Sequence, residues 1–402
     1  MNFHLFHLTV AITLLTLWIR YVEKAELVTK SNIMNDKKLI LPFLIVLFSL
    51  INCTDSQTVK IVNHQNTTDK KITKDLSELI FKHTKIFPNN TQLAFAFIKK
   101  GKTQYYGVEK RNDTIFSIKN YKNAFEVGSI SKVFTSVLLA DMVVDNTISL
   151  DSDINQYYDF QFNKNQKITF KTLANHTSGM PRMASNFELD ISHPDPFTSY
   201  TEKKLLDYLA NELELKQNQA PKYVYSNIGA GLLGYTLSKI KEKSLINLLQ
   251  ENIFSKYNMT NSTIGSKNVT THLVQGLNAG GQPTSNWNFG PISGAGAIIS
   301  TAEDLSKFAI AQFQENDSIL NLARTETHQM SEKTSIGLGW HIKSNTPNEN
   351  WFWHNGGTGG YTSCMVVNTA DKSGVIILSN VSALSEPMDN IDKLCFSIME
   401  TL

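Results

Sequence analysis

The stretch "FEVGSISKVF" (125–134) sets Lys132 beside Ser129 and Ser131 in a largely apolar run. A charged amine is costly in such a setting unless something uses it. A helix starting at Ser129 makes Ser129 and Lys132 neighbours at i and i+3 on one face. Ser131, two positions along, points elsewhere and reads as a packing or hydrogen-bonding residue. Gly128 allows a sharp turn just before the helix. The helix amino terminus favours negative charge at Ser129 by about 0.3–1 kcal/mol. A lysine buried among apolar groups can shed its proton and act as a base. Together these make Ser129 an activated nucleophile and Lys132 its partner.

Ser-x-x-Lys recurs by chance, so its company matters. "YSN" (225–227) and "HNGGTGG" (354–360) follow downstream. The Tyr225 hydroxyl can share a proton with Lys132, and the Asn227 amide can orient a substrate carbonyl. A glycine-rich strand edge lets a substrate backbone lie close. "NHTSGMP" reads as a loop around His176. Trp287 lies in a loop, open to a pocket or a packing role, and Trp351 and Trp353 fall on one face of a strand.

Patterning around these motifs suggests an α+β domain. "DLSELIFKHTKIF" (75–87) has helical spacing, and "QLAFAFIKKGKTQYYGVEK" (92–110) reads as two strands turning at Lys100-Gly101. "VFTSVLLADMVVDN" is apolar almost all round, as in a helix buried on most faces. Residues 170–265 are mainly helical, and "GAGAIISTAEDLSKFAIAQF" is a strand running into a helix capped by Ser300 or Thr301. The end is strand-rich: "IGLGWHI", "WFWHNGG", "YTSCMVVNT" and "SGVIILSNV", then a helix over about 388–401. These elements predict an antiparallel sheet built from both ends of the domain, flanked by helices, with an inserted mainly helical region.

The chain has 402 residues, 41% hydrophobic and 18% charged, with a formal net charge of +2. That length supports a core large enough for a deep site. No basic block suggests nucleic acid. The three cysteines, Cys53, Cys364 and Cys395, form no C-x-x-C, and no H-E-x-x-H occurs, so neither a metal nor another cofactor is expected. Cys364 and Cys395 could pair in an oxidising compartment or stay as buried thiols.

At the amino terminus, Met34, Lys37 and Lys38 precede an apolar run from Leu39 to Ile51, the pattern of a bacterial secretion signal. A bilayer span needs about 20 residues, more than this run supplies. Leu50-Ile51-Asn52-Cys53 resembles a lipobox, with Asn52 where Gly or Ala is usual. The expectation is translation from Met34, lipidation at Cys53 and a domain held at a bacterial cell envelope; a membrane anchor of one or two helices is the alternative. Residues 1–53 are thus read as targeting, 54–74 as a polar tether and 75–402 as the functional domain.

Ser129-x-x-Lys132, Tyr225-Ser226-Asn227 and His354-Asn355-Gly356, in this order and spacing, resemble the serine β-lactamase and penicillin-binding protein superfamily, in its class C branch. "LANHTSGMPR" (173–182), "ENIFSKYNMTNST" (251–263), "GAGAIISTAEDLSKF" (294–308) and "IGLGW" (336–340) extend the resemblance over about 90–400. It implies a β-lactamase/transpeptidase-like fold and an acyl-enzyme on Ser129, with Lys132 and Tyr225 as the proton-transfer pair. Asn227, His354 and Gly356 would bind substrate, and the backbone N–H groups of Ser129 and Gly357 would form the oxyanion hole. The partner implied is a small-molecule or peptide substrate (a β-lactam, a D-Ala-D-Ala peptide, a D-amino-acid peptide or a small ester) met by a monomer. The alternative is a non-catalytic penicillin-recognising sensor. Most class C β-lactamases have Lys where this chain has His354. An unperturbed histidine, with a pKa of about 6.5, gains charge only in acid, so a preference for carboxylated substrates is expected to strengthen below neutral pH.

Overall fold

Residues 92–99 and 373–379 are buried on both faces, and side-chain size divides along the pleat. Leu93, Phe95 and Phe97 enter one core with Val375 and Ile377, whereas Ala94, Ala96 and Ile98 enter another with Ile376 and Leu378. Successive side chains of a strand point to opposite faces, so a strand covered on both sides reads as a continuous apolar run.

The computed structural model describes residues 61–65, 72–188, 193, 195–215, 222–346 and 349–402. The secretion signal, Met34, Cys53 and the start of the tether lie outside the described residues. Residues Lys60–Leu402 form one compact unit. Its strands are β1 (Val62–His64), β2 (Gln92–Lys99), β3 (Lys102–Arg111), β4 (Thr114–Ser117), β5 (Ala124–Glu126), β6 (Thr263–Ile264), β7 (Ile298–Thr301), β8 (His328–Ser331), β9 (Thr334–Ile336), β10 (His341–Thr346), β11 (Glu349–Gly357), β12 (Thr362–Asn368) and β13 (Ser373–Ser379). The main sheet runs β1-β4-β3-β2-β13-β12-β11-β10-β9-β8. The last strand therefore pairs with an early one, joining the two ends of the domain, and only the β1–β4 pair is parallel. The small sheet β5-β7-β6 stands apart from it.

The helices are α1 (Lys74–Thr84), α2 (Ser131–Val144), α3 (Phe170–Ala174), α4 (Glu202–Asp207), α5 (Asn227–Lys241), α6 (Leu245–Leu249), α7 (Ala302–Ala311), α8 (Ser318–Arg324) and α9 (Asp389–Met399). On one face α1 and α9 enclose the core containing Phe95 and Ile377. On the other lies the larger core around α2, whose Ser131–Ala140 are all buried. Thr301 caps α7, its side chain accepting from Asp304 N at 3.0 Å. Among the described residues no helix is long and apolar enough to cross a membrane.

Three expectations change. Val62–His64, inside the segment read as a patternless tether, pairs with β4. "IGLGWHI" is two strands rather than one, because Gly339 takes φ +73° and Gly337 N bonds Trp340 O, closing a turn that buries Trp340 completely. And α2 starts at Ser131, not Ser129; residues Gly128–Ile130 form a 3₁₀ turn leading into it.

Candidate active site

That 3₁₀ turn preserves the pairing the spacing suggested, because residues i and i+3 eclipse in a three-residue turn. Lys132 Nζ lies 2.9 Å from Ser129 Oγ and donates to Ala295 O at 2.7 Å. Ser129 is half-buried, whereas Lys132 is 1% exposed. Burial first, then the positive charge of Arg182, pushes the Lys132 amine well below the usual lysine range. Ser131 is turned away, and its Oγ accepts from Ile298 N at 3.0 Å, fixing α2 to β7.

Tyr225 precedes Ser226, the N-cap of α5, whose side chain accepts from Gly229 N at 2.9 Å. The cap delivers Tyr225 to Lys132, with Nζ 4.9 Å from the centre of the half-buried ring. Its phenol faces the Ser129 hydroxyl, and desolvation raises its pKa to about 12 despite that contact and Arg182. Asn227 opens α5, half-buried, with its backbone N–H donating to Arg182 O at 2.9 Å.

The third motif lies on β11. Pairing of β10 with β11 ends at His341↔Trp353, so residues 354–357 keep one edge clear of β10. The Gly128–Ile130 turn closes on that edge. A Cβ at Gly356 would fall 1.9 Å from Val127 O and 2.9 Å from Ser129 N; one at Gly128, itself at φ +51°, would fall 2.4 Å from Gly357 N. The backbone around Ser129 and Gly357 approaches so closely only because both neighbouring positions lack side chains. Asn355 donates to Asp392 Oδ2 at 2.6 Å, tying the motif to α9.

His354 meets the site, but its expected charge behaviour is corrected. The ring is 1% exposed, its Nδ1 lies 2.5 Å from Asn355 O, and Nε2 is buried without a protein partner. Burial, followed by His341 and Lys132, holds its pKa well below 6.5. That environment favours the neutral ring and disfavours the cation foreseen in mild acid.

His176, in a loop as expected, accepts from Ser226 N at 3.2 Å through Nδ1 and packs against Tyr225 at 4.6 Å. Trp287 packs against Phe197 and Phe289, which stack on each other at 4.5 Å. Trp351 and Trp353 share a face, both meeting Phe396 of α9. Cys364 and Cys395 are buried free thiols. Among the described residues no group of three His, Cys, Asp or Glu side chains is placed to hold a metal.

Several residues at the site were not singled out in the sequence. Glu126 is 4% exposed; its Oε1 accepts from Asn286 Nδ2 at 2.8 Å and from Trp287 N at 2.9 Å. Burial raises its pKa to about 7, with Thr358, Asn286 and Trp287 opposing the shift. It ties β5 to the 283–289 loop and to the segment after the third motif. A carboxylate inside the run "FEVGS" was the available signal. His341, hydrogen-bonded through Nε2 to the Tyr223 hydroxyl at 2.9 Å, stacks on Trp353 at 4.7 Å. Arg182 lays its guanidinium 5.2 Å from the Tyr225 ring centre.

Fold and site together describe a serine-hydrolase-like scaffold. The beta-lactamase family model matches residues 89–394, and the chain belongs to that family. It is 26% identical over 309 residues to Beta-lactamase-like protein 2 of Dictyostelium discoideum, covering 72% of this chain and 55% of that protein; the chain spans about half the length of that relative. It is 23% identical over 373 residues to a beta-lactamase of Psychrobacter immobilis, covering 81% and 86%. A beta-lactamase/D-alanine carboxypeptidase from Yersinia pestis, solved with citrate, superposes with a TM-score of 0.66 at 20% identity over 80% of this chain and 95% of that one. That likeness establishes the β-lactamase/transpeptidase fold.

Proposed function

We propose that the protein is a serine hydrolase that cleaves amide or ester bonds through an acyl-enzyme on Ser129. The observation that carries this reading is a desolvated lysine 2.9 Å from a half-exposed serine hydroxyl. Neutral Lys132 takes the Ser129 proton as Oγ attacks the acyl carbon. Tyr225, protonated at neutral pH, donates to the departing group and recovers a proton from Lys132. Water then attacks the acyl-enzyme, with the same pair acting in reverse. The N–H groups of Ser129 and Gly357 hold the oxyanion, and Asn227 and the strand edge at Gly356 position the substrate. His354, neutral and enclosed, supports the strand and the Tyr225 environment. The names of the relatives, beta-lactamase and D-alanine carboxypeptidase among them, favour β-lactams and peptides ending in D-alanine, and small esters stay in the range through the sequence resemblance.

Turnover of a p-nitrophenyl ester and of nitrocefin by wild type and Ser129→Ala tests the reading. Wild type is expected to hydrolyse at least one of them, and Ser129→Ala neither. Binding of a fluorescent penicillin by wild type without turnover of either compound would favour a penicillin-recognising sensor instead. We also propose that Cys53 tethers the domain to a cell envelope. Intact-mass analysis of protein from membranes is expected to show a lipidated form beginning at Cys53; a form retaining earlier residues contradicts it.

A further inference from the structure

With His354 enclosed and neutral, the third motif offers a substrate no positive charge. Lys132 cannot replace it, since its amine is buried against Ser129 and Ala295. Among the described residues, Arg182 is a cation set beside the machinery. Arg182 is exposed at the end of "HTSGMPR", and its carbonyl accepts from Asn227 N at 2.9 Å and Ile228 N at 3.3 Å, fixing its backbone to the start of α5. Its guanidinium rests 5.2 Å from the centre of the Tyr225 ring, the same ring that Lys132 approaches at 4.9 Å. No ion pair among the described residues includes it. Its charge is also felt at Lys132 and Tyr225 and, after those of Lys132 and His341, at His176.

An exposed guanidinium stacked on an aromatic ring is held in one orientation while its outer N–H groups remain available. The group it matches best is a carboxylate, which accepts two parallel N–H bonds from the planar fork. We propose that Arg182 is the specificity-determining residue of this site and that it receives a substrate carboxylate. The preferred substrates are thus acyl compounds carrying a free carboxylate within reach of Tyr225. This rests on Ser129 as the nucleophile.

The test uses mono-p-nitrophenyl esters of four- to six-carbon diacids, each paired with the ester whose far end is a carboxamide. The readout is the ratio of kcat/KM for carboxylate over carboxamide, so each variant is its own reference. In wild type, at least one chain length is expected to favour the carboxylate by about fivefold to tenfold, the range of a well-aligned, partly exposed ion pair. Arg182→Gln should bring that ratio close to one, and Arg182→Lys should retain part of it. Wild type supplies a second readout that needs no variant. Raising the salt from 20 to 500 mM should shrink the preference, since exposed charges are screened. A wild-type ratio near one at every chain length, a ratio unmoved in Arg182→Gln, or a ratio indifferent to salt would each overturn the proposal. If wild type hydrolyses none of the esters and Ser129 resists a fluorophosphonate, the nucleophile assignment itself has failed, which is a separate result.

Discussion

A lysine amine enclosed as Lys132 is must either lose its proton or meet an anion, and burial and Arg182 are the influences that act on it. Both disfavour its charged form, as the proposed base for Ser129 requires. Lys132→Ala and Tyr225→Phe are each expected to lower kcat/KM on a p-nitrophenyl ester by about 10²–10⁴-fold, the usual worth of a positioned proton-transfer group. A loss below tenfold in either would contradict its role. The acid limb of the kcat/KM profile should report the Lys132 amine, with activity rising as it deprotonates. At His354 the structure reverses what residue type alone suggests. A histidine in place of lysine reads as an acid-switched cation, but burial keeps this ring neutral, and any carboxylate preference should be flat between mildly acidic and mildly basic pH. Turnover ratios at pH 5.5 and 8.5 check this, and a ratio rising in acid would restore His354 as the charge partner.

Among the elements, the junction between the nucleophile turn and β11 is the most constrained. Gly356 lies where a methyl group would strike Val127 O at 1.9 Å and crowd Ser129 N. Gly356→Ala should push the strand away from the turn and spoil the oxyanion geometry, lowering kcat by about 10²–10³-fold, the cost of one lost donor. Kinetics with a p-nitrophenyl ester, alongside circular dichroism to confirm folding, measures it; a folded variant with undiminished kcat contradicts the geometry. Much of this junction was legible in the sequence. The i, i+3 spacing chose Ser129 over Ser131 even though α2 begins two residues later, because a 3₁₀ turn brings the same two side chains together. The apolar runs in "QLAFAF" and "GVIIL" marked two strands of the antiparallel sheet built from both ends of the domain. What could not be read were contacts between distant segments. Glu126 and Arg182 were in plain view, but their partners at Asn286, Trp287 and Tyr225 are remote in sequence. Nor does sequence spacing reveal that His354 would be enclosed.

At the scale of the whole molecule, placing neutral histidines in the interior makes stability depend on pH. His341 is held at a pKa of about 4, by burial first and Lys132 second, against about 6.5 in an unfolded chain. Between these values the unfolded state binds a proton that the folded state does not, so stability falls as pH drops below 6.5. Glu126, raised to about 7, and Asp392, raised to about 6, act with the opposite sign over their own windows. A comparison with His341→Gln isolates the histidine. In urea unfolding at pH 7 and pH 5, wild type is expected to lose about 2 kcal/mol more stability than the variant. Equal losses would mean that His341 takes up its proton without unfolding. Sheet, buried helix and α5 bring motifs from three remote parts of the chain to one serine, and the whole account depends on that serine. Mass-spectrometric mapping of the adduct left by a fluorophosphonate tests it most directly: the account predicts modification of Ser129 in wild type and none in Ser129→Ala, whereas modification at Ser131, or persisting in Ser129→Ala, would contradict it.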